Sequence, residues 1–265
     1  MSRLARTLER VTARVRGAVD GSPAPSPGDP SDSLAPWERQ IIDEARPYTM
    51  TSPERIVANI DAVRYLLRRR VPGAFVECGV WRGGSVLAMI RCLQREGVDD
   101  RDIYLFDTFE GMTRPTELDT SRYDVPALET WTASEQERTK PWHGFFNADV
   151  FDIDSVRSLI LGTGYPERHL HFVQGRVEDT LPEAAPTSIA LLRLDTDWYE
   201  STWHELSHLY GRVSEGGVLV IDDYGHWDGC REAVDQYFET VEAPIFLARI
   251  DYTGRVGVKL PLTPP

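Results

Sequence analysis

The chain has 265 residues, 41% of them hydrophobic and 27% charged, with a formal net charge of −13. That length accommodates one α/β domain with a full core plus peripheral segments, and the composition is that of a soluble globular protein. The negative charge argues against non-specific nucleic-acid binding, which sets Lys and Arg against phosphate, while no apolar run reaches the roughly 18 residues of a membrane span.

No signal-peptide pattern opens the chain. Cys78, Cys92 and Cys230 are too far apart to read as a metal-type pair, so reduced thiols in a cytoplasmic protein are expected. The acidity suits a protein that gathers cations, although it equally serves solubility.

Residues 1–20 place Arg3, Arg6, Arg10, Arg14 and Arg16 around Leu4, Leu8, Val11 and Val15. This pattern fits either a small basic amphipathic helix for a membrane surface or partner, or a frayed terminal helix. Residues 21–36 are dense in Pro, Ser, Gly and Asp and read as a linker. Residues 1–36 are therefore expected to form a basic segment with its linker, and 37–265 the folded domain.

Ser52 before Pro53 is a helix start, followed by the stripe Ile56, Val57, Ile60, Val63, Leu67. Strands are expected at 74–79 and 102–107, with a helix at 85–95 between them. Residues 108–150 carry Pro115, Pro126 and Pro141 and read as a long irregular loop, the usual form of a lid. A helix at 154–161 and strands at 170–174 and 189–194 follow. Trp203, Leu206, Tyr210 and Val213 mark one helix face that Gly216 and Gly217 should terminate. A strand at 218–221, a helix at 229–238 and a hairpin of 245–250 with 256–260 complete the series. Alternation of this kind predicts a doubly wound, mostly parallel α/β sheet of Rossmann-like type ending in an antiparallel hairpin, with ligands at the carboxyl ends of the strands.

The first strand ends in Glu77-Cys-Gly79-Val-Trp-Arg-Gly83-Gly84-Ser85. Its spacing is acidic-x-Gly-x-x-x-Gly, and the dinucleotide pattern G-x-G-x-x-G is absent. Glycines here let the backbone approach a ligand, and a plain tight turn would use them too. The second strand ends in Asp107-Thr-Phe-Glu-Gly111, where a carboxylate can accept two ribose hydroxyls or simply cap a helix. Gln174-Gly-Arg-Val-Glu178 ends the third.

Two further strand ends carry paired acids, Asp195-Thr-Asp197 and Asp222-Asp223. Strands separated by one helix belong to one parallel sheet, so these tips point the same way. Carboxylates crowded in one cleft repel one another unless a cation lies among them, and an all-oxygen donor set suits Mg²⁺. Capping of the next helices is the competing use. His143 and His226 are alternative bases. Trp81, Trp142 and Trp227 either stack on a sugar ring or fill the core.

The acidic-x-Gly-x-x-x-Gly turn resembles the first motif of class I methyltransferases. Asp195-Thr-Asp-Trp-Tyr-Glu-Ser-Thr202, Ser214-Glu-Gly-Gly-Val218, Asp222-Asp-Tyr-Gly225, Asp179-Thr-Leu-Pro182 and the Cys230-Arg-Glu-Ala-Val-Asp235 helix, with the two glycine-bearing turns, resemble the macrocin O-methyltransferase family of mycinamicin- and novobiocin-type sugar methyltransferases. The likeness covers about residues 37–260 and leaves out the basic segment, and the lid at 112–146 matches poorly. It implies an S-adenosylmethionine-dependent O-methyltransferase acting on a sugar hydroxyl of a natural-product glycoside. It implies metal ligation by Asp195, Asp222 and Asp223, with Asp195 also taking the proton. It implies cofactor contacts from Glu77, Gly79, Val80, Gly83, Ser85, Asp107, Thr108, Gly111, Gln174 and Gly175, and from Thr49 and Met50 in a stretch that closes over the cofactor. It implies homo-oligomers, with Glu44 as a candidate for the glutamate that reaches a neighbouring site. Two other readings fit the residues: a catechol O-methyltransferase, whose vicinal phenols would chelate the same ion, and a non-catalytic adaptor working through its N-terminal helix.

Overall fold

The computed structural model describes residues 34–146, 151–242 and 245–261. The expected basic helix and nearly all of its linker lie outside these residues. The chain divides into two compact units, Met1–Arg39 and Gln40–Pro265. Ala35 N–H donates to the Glu38 carboxylate at 2.7 Å and opens helix α1 (Pro36–Ala45).

In the second unit the element order is α2 (Pro53–Arg69), β1 (Ala74–Cys78), α3 (Gly84–Arg95), β2 (Ile103–Asp107), α4 (Ala127–Glu137), α5 (His143–Phe146), α6 (Ile153–Leu161), β3 (Leu170–Gln174), α7 (Val177–Thr180), β4 (Ile189–Leu194), α8 (Tyr199–Leu209), β5 (Val213–Ile221), α9 (Asp228–Thr240), β6 (Ala248–Arg249) and β7 (Arg255–Val258). Helix α2 begins as the sequence predicts. Ser52 Oγ accepts from Arg55 N–H, Pro53 occupies the first turn, and Arg70 closes the helix in the left-handed region at φ 54°. Of its expected stripe Ile56, Ile60 and Val63 are buried, while Val57 and Leu67 are half-buried and Leu66 takes the last core position.

Seven strands form one sheet in the order β3-β2-β1-β4-β5-β7-β6. Five are parallel, and β7 runs antiparallel between β5 and β6. Every residue of β1 and β4 is buried, as expected of central strands covered by helices on both faces. Strand order reverses between β1 and β4, which makes the crevice beyond their carboxyl ends the natural ligand position. Register then aligns the tips: Cys78 pairs with Leu194, and Leu194 with Ile221. The ladder continues one step further, with Asp195 N–H donating to Cys78 O at 2.8 Å and Asp222 N–H to Leu194 O at 2.9 Å. Asp195 and Asp222 therefore leave the sheet at the same level.

Three expectations need correction. Helix α8 ends at Leu209, and a 3₁₀ turn, Tyr210–Arg212, leads straight into β5 at Val213. Gly216 and Gly217 lie inside that strand, at an irregularity where Ile189 pairs with Val213 but Leu191 with Val218. Apolar spacing alone did not separate the last helical turn from the first strand residues. Next, residues 108–150 are not wholly irregular, since α4 and α5 occupy part of them. Finally, the hairpin strands are shorter than expected, because β6 is an edge with Phe246 84% exposed beside it. The turn itself is built by Asp251 Oδ1, which accepts from Thr253 and Gly254 N–H at 2.9 and 2.7 Å.

Candidate active site

A single cleft of about 390 Å³ opens over the tips of β1, β2, β4 and β5, within the roughly 300–1,000 Å³ usual for small-molecule sites. On the β1 side it is lined by Glu77, Gly79, Val80 and Ser85. Gly79 has φ +82°, and a Cβ there would lie 1.9 Å from Asp195 O. Only glycine lets the first loop pass so close to the acid-bearing loop. Gly83 lies behind, against Val156 and Ile160, and does not line the cleft.

Asp107 organises the next part. Its Oδ2 accepts from Val80 N–H at 2.7 Å and Trp81 N–H at 2.9 Å, and its Oδ1 from Phe109 N–H at 2.7 Å. The carboxylate thus shapes the first loop while facing the cleft. Burial raises it above the usual carboxylate range, and these three N–H groups offset that only in part. Thr108, Gly111 and Gly175 join this wall, whereas Gln174 is exposed and reaches back to Thr108 O at 3.4 Å. Thr49 and Met50 border the cleft from residues 48–51, a strap packed on the start of α3. A Cβ on Gly84 would stand 2.6 Å from Tyr48 O.

The acid half lies beside it. Asp195, Asp222 and Asp223 each present a carboxylate oxygen such that all three atoms lie within 4.8 Å of one another. Asp197, at φ 69°, turns its carboxylate to Trp227 Nε1–H at 2.9 Å. Asp223 is held well above the usual carboxylate range, by burial first and then by the charges of Asp197 and Asp195. Burial and Asp195 raise Asp197 to about 8. This donor set fits a hard divalent ion: it consists of carboxylate oxygens, and Arg55 and Arg193, which pair with Asp222 and Asp195, only partly offset the crowding at Asp223.

Several participants escaped sequence reasoning. Arg193, in the apolar run of β4, is fully buried and donates to Glu77 Oε1 at 2.7 Å, Asp195 Oδ2 at 2.6 Å, Thr51 Oγ1 at 2.9 Å and Asp222 Oδ1. Burial raises Glu77 to about 8 despite this partner. Arg55 of α2 bonds Asp222 Oδ2, and its Nε donates to Asp251 Oδ2 at 3.0 Å. Thr253 Oγ1–H donates to Asp222 O at 2.7 Å, so the β6–β7 turn buttresses the acid pair. Glu205 of α8, driven strongly upward by burial, accepts from Thr196 Oγ1–H at 2.9 Å and fixes the loop between Asp195 and Asp197.

The aromatic groups divide. Trp81, Trp142 and Trp227 all reach the cleft, and Trp142, Trp198 and Trp227 pack in series with centroids 5.7 and 5.0 Å apart. His226 borders the cleft, stacked against Tyr123 at 5.8 Å and with Nδ1 3.1 Å from the Tyr252 hydroxyl. His143 is exposed on α5 and does not line the cleft. Glu44 is engaged within its own chain, accepting from Arg91 Nε at 2.8 Å.

A family model described as macrocin-O-methyltransferase (TylF) matches residues 40–257. The chain belongs to the macrocin O-methyltransferase family. It is accordingly an S-adenosylmethionine-dependent O-methyltransferase. It is 34% identical to demethyldecarbamoylnovobiocin O-methyltransferase of Streptomyces niveus over 79% of this chain and 75% of that one. It is 30% identical to mycinamicin III 3''-O-methyltransferase of Micromonospora griseorubida over 82% and 84%. The solved O-methyltransferase NovP superposes with a TM-score of 0.67 at 29% identity, covering 81% of this chain and 83% of that one. Methyltransferases with much lower identity, such as TomG in complex with S-adenosylmethionine (12%, TM-score 0.51, covering 87% and 94%), share the fold. Among the described residues of this methyltransferase no helix is long and apolar enough to cross a membrane.

Proposed function

We propose that this methyltransferase methylates a sugar hydroxyl of a natural-product glycoside, with a divalent cation, Mg²⁺ or similar, held by Asp195, Asp222 and Asp223. The observation that carries the cation is the convergence of those three carboxylates within 4.8 Å in the same cleft as Glu77 and Asp107. The sugar acceptor is supported by relatives named for novobiocin, mycinamicin and rhamnosyl-tetracenomycin methylation.

The donor supplies an already electrophilic methyl group, and the cation, when bound, acidifies and orients a chelating diol. The protein supplies the rest. The loop of Gly79 and Val80, with Ser85 and the Asp107 carboxylate, cradles the donor, and Thr49 and Met50 cover it. Asp195 stands between the two halves and takes the hydroxyl proton. The Trp81 and Trp142 rings line the cleft and offer aromatic surface for a sugar to stack on. Bringing both reactants into contact removes much of the entropic barrier.

Activity should vanish in excess chelator and return on adding Mg²⁺ in excess of it. Asp195→Asn should lower kcat by about 10²–10⁴, the usual worth of a positioned base, with the circular dichroism spectrum unchanged. Full turnover of a glycoside acceptor in excess chelator would refute the cation.

A further inference from the structure

Arg193 stands out in the site because its fully buried guanidinium meets three different parts of it. Nη1 joins Glu77 on the donor side to Asp195 in the acid cluster, and Nη2 joins Asp222 in that cluster to the Thr51 hydroxyl. Thr51 ends the strap of residues 48–51, which borders the cleft and rests on the start of α3. Thr51 N–H also bonds Thr49 Oγ1 at 3.0 Å, so the strap is internally braced.

A guanidinium is a rigid planar fork. It cannot follow one partner without straining its bonds to the others, and a buried charge that loses a partner is costly. We propose that Arg193 is a positioning residue that couples seating of the strap over the donor to the geometry of the acid cluster, with the Thr51 hydroxyl as the contact that transmits the strap's position. Such coupling is reciprocal: donor binding tightens cation binding, and cation binding tightens donor binding by the same factor. The inference rests on reading Asp195, Asp222 and Asp223 as a cation site, and its test separates the two.

Mn²⁺ binding is measured by electron paramagnetic resonance of the free ion, with and without saturating S-adenosylhomocysteine, in the wild type, Thr51→Val and Arg193→Lys. Wild type should bind Mn²⁺ about tenfold more tightly with S-adenosylhomocysteine present, within the common range of coupling factors. Thr51→Val removes a hydroxyl bonded to the guanidinium and should cut that factor to about twofold or less. Arg193→Lys keeps the charge but loses the fork, and should weaken Mn²⁺ binding in both states. Thr51→Val is a conservative change at a partly buried position, so it decides the matter without the arginine variant. Equal Mn²⁺ affinity in wild type with and without S-adenosylhomocysteine, or coupling fully kept in Thr51→Val, overturns this inference and leaves the cation site standing. No Mn²⁺ binding by wild type in either state overturns both.

Discussion

At the scale of single residues, carboxylates shape the cleft as well as line it. Asp107 is the clearest case, since three backbone N–H groups point at it while it faces the cleft. An asparagine would turn one NH₂ group toward those donors. Hydrogen bonds to a charged group contribute about 1.5–3 kcal/mol each, so Asp107→Asn should weaken S-adenosylhomocysteine binding about 10- to 100-fold, measured by calorimetry. The acids themselves were legible because each ends a recognisable strand. Their organiser, Arg193, also carries a signal in the sequence. A charge inside the apolar run Ile-Ala-Leu-Leu-Arg-Leu of a doubly covered strand must be paired, and its partners are Glu77 in the neighbouring strand and the acids at the strand tips. Arg55 and Asp251 gave no such signal, because residues 196 positions apart meet only through the fold.

At the scale of elements, the segment 108–150, expected to be a lid, is pinned along its first part. Asp119 is fully buried and accepts from Thr116 N–H at 2.6 Å and from Tyr199 N–H, at the start of α8, at 2.8 Å. Thr120 O accepts from Asp228 N–H at 2.8 Å at the start of α9, and Trp198 Nε1–H donates to Thr113 O at 3.0 Å. The carboxylate is a cap delivered from outside the helix it serves, favoured by the helix dipole. Removing it by Asp119→Ala orphans partly buried N–H groups and should cost about 1–3 kcal/mol, read as a lower denaturation midpoint with unchanged m-value. No local pattern announces this bond. Helix α4 was equally hidden, since Ala127 is its one buried residue and an exposed helix leaves no apolar stripe. The strap is tighter still. Gly84→Ala would drive a methyl group into Tyr48 O and Thr49, and should raise the donor KM about tenfold or more while leaving the melting temperature within a few degrees, about what one overpacked methyl costs.

For the molecule as a whole, buried acid sets how stability responds to pH. Glu77 and Asp197 are raised to about 8 from ordinary values of 4.5 and 3.8. Between those limits the native state holds protons that the unfolded chain has released, so stability is lost as pH rises through the window. His226 and His208, lowered by burial from 6.5, act in the opposite direction near pH 6. The cation-free protein should therefore melt at least 2–4 °C higher at pH 6 than at pH 8, roughly the effect of 1 kcal/mol in a domain of this size. Mg²⁺ should stabilise it more at pH 8, where ionised ligands bind metal best. Scanning calorimetry at both pH values with and without Mg²⁺ checks the sign. A stability that climbs from pH 6 to 8 without cation would contradict the buried-acid account.

What the sequence determined alone is the alternation of strands and helices, the family, and the identity of the acids and glycines at the strand tips. These are local properties, carried by apolar periodicity and by short motifs at element ends. Tertiary structure decided which tips share a level, that an arginine in β4 joins the end of β1, the strap and the acid cluster, and that the first part of the segment 108–150 is fastened to two helix starts. Those facts depend on strand order, register and contacts between distant residues. A one-dimensional pattern holds no distance between such residues until the sheet has closed the separation.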